Sequence, residues 1–246
     1  MQHRFRFMGE MQTEGRWALR GDEALHLSKV LRLPIDTAVE VTDGLGRWAL
    51  GVVGAISGKD VMLVTEGSQL EPRHRLSLEF AIGALKPGAV DDILPALTEL
   101  GIDQVHVFHQ QDSAKARLQP KVVERWQRIL VQSTKQCKRA WLPEIHQYDS
   151  VADFVEQVAS AGGMPPVDKV VLRGAAVDLA LPRLMHLKQG RVIVVAGGEK
   201  GLSPGEEQTL LAAGYRPASL GPYVLRAVTA AVAAAASMSL YRTDLC

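Results

Sequence analysis

The chain has 246 residues, of which 47% are hydrophobic and 22% charged, with a net charge of +1 at pH 7. That is apolar material for one large or two modest domains, and the near-zero net charge excludes a chain that binds polyanions through its overall field. Cys137 and Cys246 have no metal-ligand spacing, the seven histidines are scattered, and "MQHRFRFMGEM" lacks the apolar core of a signal peptide; the expectation is a soluble, cytoplasmic protein with reduced thiols, no metal and no membrane span.

Residues 1 to about 70 read as short strands. "TAVEVTD" alternates apolar and polar residues, "GLGR" supplies a turn, "WALGVVGAI" returns, and "VMLVTEG" follows after "GKD". Such hairpins predict a small β-barrel or sheet. Within it, "GDEALHLSKVLRL" predicts a short helix capped by Asp22, burying Leu25, Val30 and Leu33 and turning His26, Lys29 and Arg32 outward. The polar "SQLEPRHR" marks the boundary, giving domains 1–72 and 73–246.

Beyond it strands and helices alternate. "LSLEFAIGAL", "IDQVHVFHQQ", "DKVVLRGAA", "GRVIVVAGG" and "YRPASLG" read as strands. "GAVDDILPALTELG", "QPKVVERWQRILVQSTKQCKR", "SVADFVEQVASAGG", "SPGEEQTLLAAG" and the alanine-rich "AVTAAVAAAASMSL" read as helices. The fold class is α/β with a mainly parallel sheet. Ser203 with Glu206 has the spacing of a capping box, and continuous Val and Ile in "GRVIVVAGG" suit a strand buried on both faces.

Two strands end in glycine turns, "GGEKGLSPGEEQ" and "LGPYVLRAVTAA". In an open α/β sheet, ligands gather at the carboxyl ends of strands, and glycine lets backbone approach them closely. Each turn alone also reads as an ordinary connection; the pair favours a pocket for a small adenosine-bearing ligand. Neither fits a dinucleotide or nucleoside triphosphate loop. Arg226 sets a cation at the positive end of a helix dipole, which suits either a carboxylate pair or an anionic ligand.

From Lys115 to Arg139 there are eight basic residues against one acid, Glu124, a net +7. Helical spacing aligns Lys121, Arg125 and Arg128 opposite an apolar stripe of Val122, Trp126, Ile129 and Leu130. That face reads as a solvated surface or as a set of phosphate contacts.

Taken in order, "HRFRF", "HLSKVLRL", "VTDGLGRW", "KPGAVDDILPALTELGIDQVHVF", "RWQRILVQSTKQCKRAWLPEI", "GGEKGLSPGEEQ" and "LGPYVLRAVTAAVAA" resemble the ribosomal RNA small-subunit methyltransferase E family, the uridine-N3 methyltransferases of the SPOUT superfamily. The resemblance implies an N-terminal PUA-like β-barrel followed by a SPOUT domain with a C-terminal trefoil knot. It also implies a homodimer that uses S-adenosylmethionine to methylate a uridine N3 in 16S ribosomal RNA of the small subunit. Gly197, Glu199, Gly201, Leu220, Gly221, Val224, Leu225 and Arg226 fall on the family's cofactor motifs, with Arg226 the candidate catalytic residue. Arg4, His26, Arg32, Lys86, Gln136 and Arg139 fall on positions facing RNA, joined by Arg125 and Arg128 of the basic helix. The alanine-rich helix would help build the dimer contact. Gly198 stands where the family has proline, Lys200 where it has glycine, Val228 where it has glutamate and Asp112 where it has arginine. These departures leave open a relative that binds RNA without turnover. Also open are a SPOUT enzyme acting on another RNA position and an unrelated nucleotide-binding α/β enzyme.

Overall fold

The structure, a computed structural model, describes residues 4–84, 87–110, 120–160, 166–174 and 180–245. Its contacts define two units, Met1–Arg73 with Val131–Leu142, and His74–Leu130 with Pro143–Cys246.

The first unit is built on β1 (Arg6–Met8), β2 (Glu10–Thr13), β3 (Arg16–Arg20), β4 (Ala38–Thr42), β5 (Arg47–Ser57), β6 (Asp60–Thr65) and β7 (Gln69–Leu70). They form one sheet in the order β1-β4-β5-β6-β3-β2, with β7 beside β5, and only the β1–β4 pair is parallel. The β4–β5 hairpin turns where expected. Asp43 Oδ1 accepts from the amides of Leu45 (2.7 Å) and Arg47 (3.0 Å), and Gly44 and Gly46 take positive φ values of 73° and 97°. Trp17, Leu19, Leu27, Val41, Val53 and Leu63 are the buried core.

The predicted short helix differs in detail. α1 (Gly21–Leu25) starts after Arg20 without a side-chain cap, so Asp22 does not cap it, and the chain continues as a π-helix over His26–Val30. The wider π turn shifts the inward face to Ala24 and Leu27; Leu25 and Leu33 are half-buried and Val30 is 68% exposed.

The second unit holds β8 (Leu76–Ala84), β9 (Gln104–His109), β10 (Glu144–Tyr148), β11 (Val167–Leu172), β12 (Gly190–Ala196) and β13 (Arg216–Ala218). All pair in parallel, in the order β10-β9-β8-β12-β11-β13. The chain runs outward from β8 through β9 to β10, then returns to fill the other side, so the order reverses between β8 and β12. In β12, Val192 to Ala196 are all buried, as their composition predicts. β10 has no counterpart in the sequence reading: it is a polar edge strand that, among the described residues, pairs with β9 alone.

The helices are α2 (Pro87–Glu99), α3 (Pro120–Gln136), α4 (Val151–Ser160), α5 (Pro204–Ala212) and α6 (Ala227–Thr243). α5 opens with the predicted capping box: the Glu206 amide donates to Ser203 Oγ (3.3 Å) and the Ser203 amide to Glu206 Oε2 (2.8 Å). The alanine face of α6 is buried against the rest of its own unit. Ala231, Ala234, Ala235 and Met238 are buried, and α6 packs on α2, β8 and β12. At its far end Arg242 donates to Asp103 Oδ2 and the Gly101 carbonyl, each at 2.6 Å. No described helix is long and apolar enough to cross a membrane.

A buried polar cluster joins β8, β9, β10 and β12. Arg191 donates to both Glu79 oxygens (2.6 and 2.7 Å), and His106 Nε2 lies 3.1 Å from Glu79 Oε2 with Nδ1 2.9 Å from the Tyr148 hydroxyl. Burial pushes the Glu79 carboxyl up, but the hydrogen bonds from Arg191 and His106 outweigh it and leave it below its ordinary value. An ionised Glu79 places the imidazole proton on Nε2, so Nδ1 accepts from Tyr148. Burial lowers the His106 pKa and raises that of Tyr148 to about 12.

Candidate functional site

Three strands of the second unit stop side by side, and the loops that follow them enclose a cavity of about 280 Å³. Leu172, Arg173 and Gly174 come from the end of β11, Ala196 to Gly201 from β12, and Leu220 with Tyr223 to Leu225 from the segment after β13. Ala227 and Ala230 of α6 complete the wall. The size is just below the usual span of small-molecule pockets, roughly 300–1,000 Å³. Tyr223 and Val224 at the rim are 80% and 81% exposed.

Gly198 to Gly201 form a tight turn closed by a hydrogen bond from the Gly201 amide to the Gly198 carbonyl (3.0 Å), with Gly201 at φ 76°. The residue before the turn tolerates no side chain. A Cβ at Gly197 would press on the Gly201 carbonyl carbon and lie 2.5 Å from the Leu202 nitrogen. Backbone at the glycines forms part of this wall, beside Glu199 and Lys200 of the same turn, and backbone amides and carbonyls with apolar side chains suit an uncharged heterocycle and ribose.

Of the predicted cofactor residues, Gly197, Glu199, Gly201, Leu220, Val224 and Leu225 line the cavity. Gly221, at φ 141°, belongs to the same loop without lining it. Arg226 follows Leu225 as the N-cap residue of α6; it is exposed and has no side-chain partner among the described residues. Sequence reading missed Leu172, Arg173, Gly174 and Tyr223. The glycine that follows β11 was the available signal for the first three.

A second cleft, of about 220 Å³, lies wholly in the first unit and gathers Arg4, His26 and Gln136 with Phe5, Arg6, Gln132, Lys135 and Lys138. Its position follows from how α3 ends. Lys138 takes φ 63° just past the helix, and the Arg139 amide reaches back to the Thr134 carbonyl (3.2 Å), as in a Schellman-type close. From there Lys138 Nζ donates to the Arg4 carbonyl (2.6 Å) and Glu40 Oε2 (2.9 Å). Arg6 donates to the same Glu40 oxygen (2.9 Å) and to the Lys138 carbonyl (2.6 Å), and Lys135 pairs with Glu23. Burial raises the Glu40 pKa, but the hydrogen bonds from Lys138 and Arg6 win and hold it below the ordinary carboxylate value.

The other expected RNA contacts are dispersed. Arg32 is exposed at φ 51°, its Nε 3.4 Å from the Lys29 carbonyl, and Arg139 is half-buried with its carbonyl accepting from Arg6 (3.1 Å). On α3, Trp126 and Leu130 of the predicted apolar stripe are buried. Arg125 pairs with Asp91, and Arg128 lies 3.6 Å from Glu124. Lys86 and Asp112 lie outside the described residues. The +7 window is thus met by Glu23, Glu40 and Asp91, which the fold brings from elsewhere in the chain. Among the described residues no group of His, Cys, Asp or Glu is arranged to hold a metal ion.

A glycine-walled cavity at the carboxyl ends of a parallel sheet, on a chain that also carries a basic cleft, has the form of an α/β enzyme with a small cofactor and a polyanionic substrate. The family described as RNA methyltransferase domain matches residues 72–239, and the RNA methyltransferase PUA domain matches residues 19–66. The chain belongs to this RNA methyltransferase family. It is 31% identical over 222 residues, 87% of this chain and 69% of the relative, to the ribosomal RNA small subunit methyltransferase E of Synechocystis. The protein of that name from Treponema pallidum is 25% identical over 224 residues, covering 89% of this chain and 83% of its own. Among solved structures, the ribosomal RNA small subunit methyltransferase E of Neisseria gonorrhoeae, bound to S-adenosyl methionine, superimposes with a TM-score of 0.82 at 20% identity, covering 97% of this chain and 98% of the other. A probable rRNA-methyltransferase from Porphyromonas gingivalis gives 0.79 at 25% identity, covering 98% and 99%.

Proposed function

We propose that the protein transfers a methyl group from S-adenosylmethionine to N3 of a uridine in 16S ribosomal RNA of the small ribosomal subunit. The observation that carries this reading is the convergence of the loops after β11, β12 and β13 on one backbone-walled cavity. Family membership and the names of the Synechocystis and Neisseria relatives support it. In this reading residues 1–72, joined by Val131–Leu142, are a PUA-like RNA-binding barrel, and the rest of 73–246 is the methyltransferase domain with its trefoil knot. The protein works in the cytoplasm as a homodimer, a role supported by the exposed Val228 and Leu240 on α6.

S-adenosylmethionine, when bound, supplies an electrophilic methyl on a sulfonium, so the protein's task is mainly alignment. The backbone of Gly197 to Gly201 and of Leu220 to Leu225 would hold the cofactor. Leu172, Val224 and Leu225 would give it apolar cover, and glycine at 197 lets the chain pack directly against the Gly201–Leu202 backbone that shapes the wall. Uridine N3 becomes a nucleophile only as its proton leaves, and the anion that forms spreads over the adjacent carbonyl oxygens. Arg226, exposed, without a side-chain partner among the described residues and adjoining Leu225 of the cavity wall, would stabilise that anion. The target base must leave its stack to reach the cavity. Arg4, His26, Arg32, Gln136 and Arg139, with Lys86, Arg125 and Arg128, hold the surrounding RNA.

Calorimetric titration with S-adenosylmethionine tests this reading. Saturable binding near one per subunit, lost on substitution of Gly197 by alanine, is expected. Absence of binding both with and without small-subunit RNA would replace it with an RNA-binding relative that has no turnover.

A further inference from the structure

The glycine turn is held by one side chain that the proposed chemistry does not use. Gln110 follows the end of β9, is buried, and sits behind the turn. Its Nε2 donates to the Gly201 carbonyl (2.7 Å) and to Glu206 Oε2 (3.1 Å), while its Oε1 accepts from the Gly198 amide (3.1 Å). One planar amide therefore grips both ends of the Gly198–Gly201 turn and ties them to the first turn of α5. The amide can face only one way. Reversed, its oxygen would meet the Gly201 carbonyl and the Glu206 carboxylate, and its nitrogen would meet the Gly198 N–H. Glu206 is itself fixed by the capping box with Ser203.

Close packing completes the clamp. A Cβ at Gly83, near the end of β8, would come within 2.6 Å of Gln110 Cδ and Oε1. A Cβ at Gly198 would press on the Gly83 carbonyl and lie 2.7 Å from Gln110 Oε1. Two glycines thus make room for the glutamine. With glycine at 198, the loop has a free φ and an N–H to satisfy, and Gln110 restrains both.

We propose that Gln110 is a positioning residue for the cofactor site: it holds the Gly198–Gly201 turn in the conformation that binds S-adenosylmethionine and couples that turn to Glu206. The role rests on reading the cavity as the cofactor site, but the clamp can be tested apart from it. Gln110→Met keeps the side-chain length and removes the hydrogen bonds to Gly198, Gly201 and Glu206. Amide hydrogen exchange at Gly198 and Gly201, measured without cofactor, is expected to speed up about tenfold, with little change in the melting temperature. The dissociation constant for S-adenosylmethionine should rise about tenfold while the KM for RNA stays constant.

Gln110→Glu sets a carboxylate against Glu206 and the Gly201 carbonyl and should weaken cofactor binding further. Adding Glu206→Gln to that variant restores a donor–acceptor pair and should recover part of the loss. A structural role alone predicts a lower melting temperature with unchanged cofactor affinity in folded protein, and that result overturns the proposal. So does unchanged exchange at Gly198 and Gly201 in Gln110→Met, or no recovery in the double variant. If cofactor added to the wild-type protein gives no extra protection at 198–201, the cavity assignment fails and the binding role of the clamp falls with it, even where the exchange of Gln110→Met shows the clamp to be real.

Discussion

The two cavities are made in opposite ways. In the second unit glycine-bearing loops and strand ends set the shape of the wall, with a smaller set of side chains such as Leu172, Val224 and Leu225 lining it. In the first unit the cleft is lined by long polar side chains, and its lysines and Arg6 are already bound to Glu23, Glu40 or backbone carbonyls. A backbone site gains selectivity from steric exclusion and fails abruptly when a side chain intrudes. A side-chain site spreads its energy over many groups and fails gradually. Substitutions in the two places should therefore differ in size and in which ligand they affect.

The largest effect is expected at Arg226, beside the cavity of the second unit. Arg226→Ala should lower turnover on the order of 100-fold or more with little change in cofactor affinity, since it removes a charge needed in the transition state. Near-normal turnover would take Arg226 out of the mechanism.

Next comes the backbone wall. Gly198→Ala drives a methyl onto the Gly83 carbonyl and should weaken cofactor binding at least about tenfold by calorimetry, because something in the turn must shift. Gly205→Ala, where an added Cβ meets nothing within 4 Å, is the matched control and should leave affinity unchanged. Equal effects from both would contradict a wall shaped by close approach.

In the first unit, His26→Ala and Gln136→Ala should each raise the KM for RNA a few-fold and leave the cofactor dissociation constant alone. A change in cofactor affinity would erase the contrast between the two cavities. The smallest effect belongs to Arg128→Gln. Losing one phosphate contact should reduce the slope of log affinity against log salt by about one. An unchanged slope makes that part of α3 a solvated face whose cation answers only Glu124.

Much of the second unit was legible because its signals are local. Continuous Val and Ile in β12, the Ser203–Glu206 spacing and the glycines after two strands all lie within one turn or strand; the first two are found as read, and Gly197 and Gly201 line the cavity while Gly221 does not. β10 was not legible, since Glu-Ile-His-Gln-Tyr shows no burial pattern and its strand form comes from pairing with β9. The π-helical turn after α1 moved burial from Val30 to Leu27, a shift invisible to a period of 3.6. The basic window was legible as composition but not as charge, because Glu23, Glu40 and Asp91 are distant in sequence. Gln110 was missed for the same reason: its partners lie about ninety residues further on. Local chemistry is written in order along the chain, and the clamp that holds it is not.

The most direct test of the central claim is nucleoside mass spectrometry of small-subunit ribosomal RNA incubated with the protein and methyl-deuterated S-adenosylmethionine. A deuterated methyl on N3 of one uridine is the predicted product. Full cofactor binding with no methylated uridine, or a label on another base or ring atom, would contradict it.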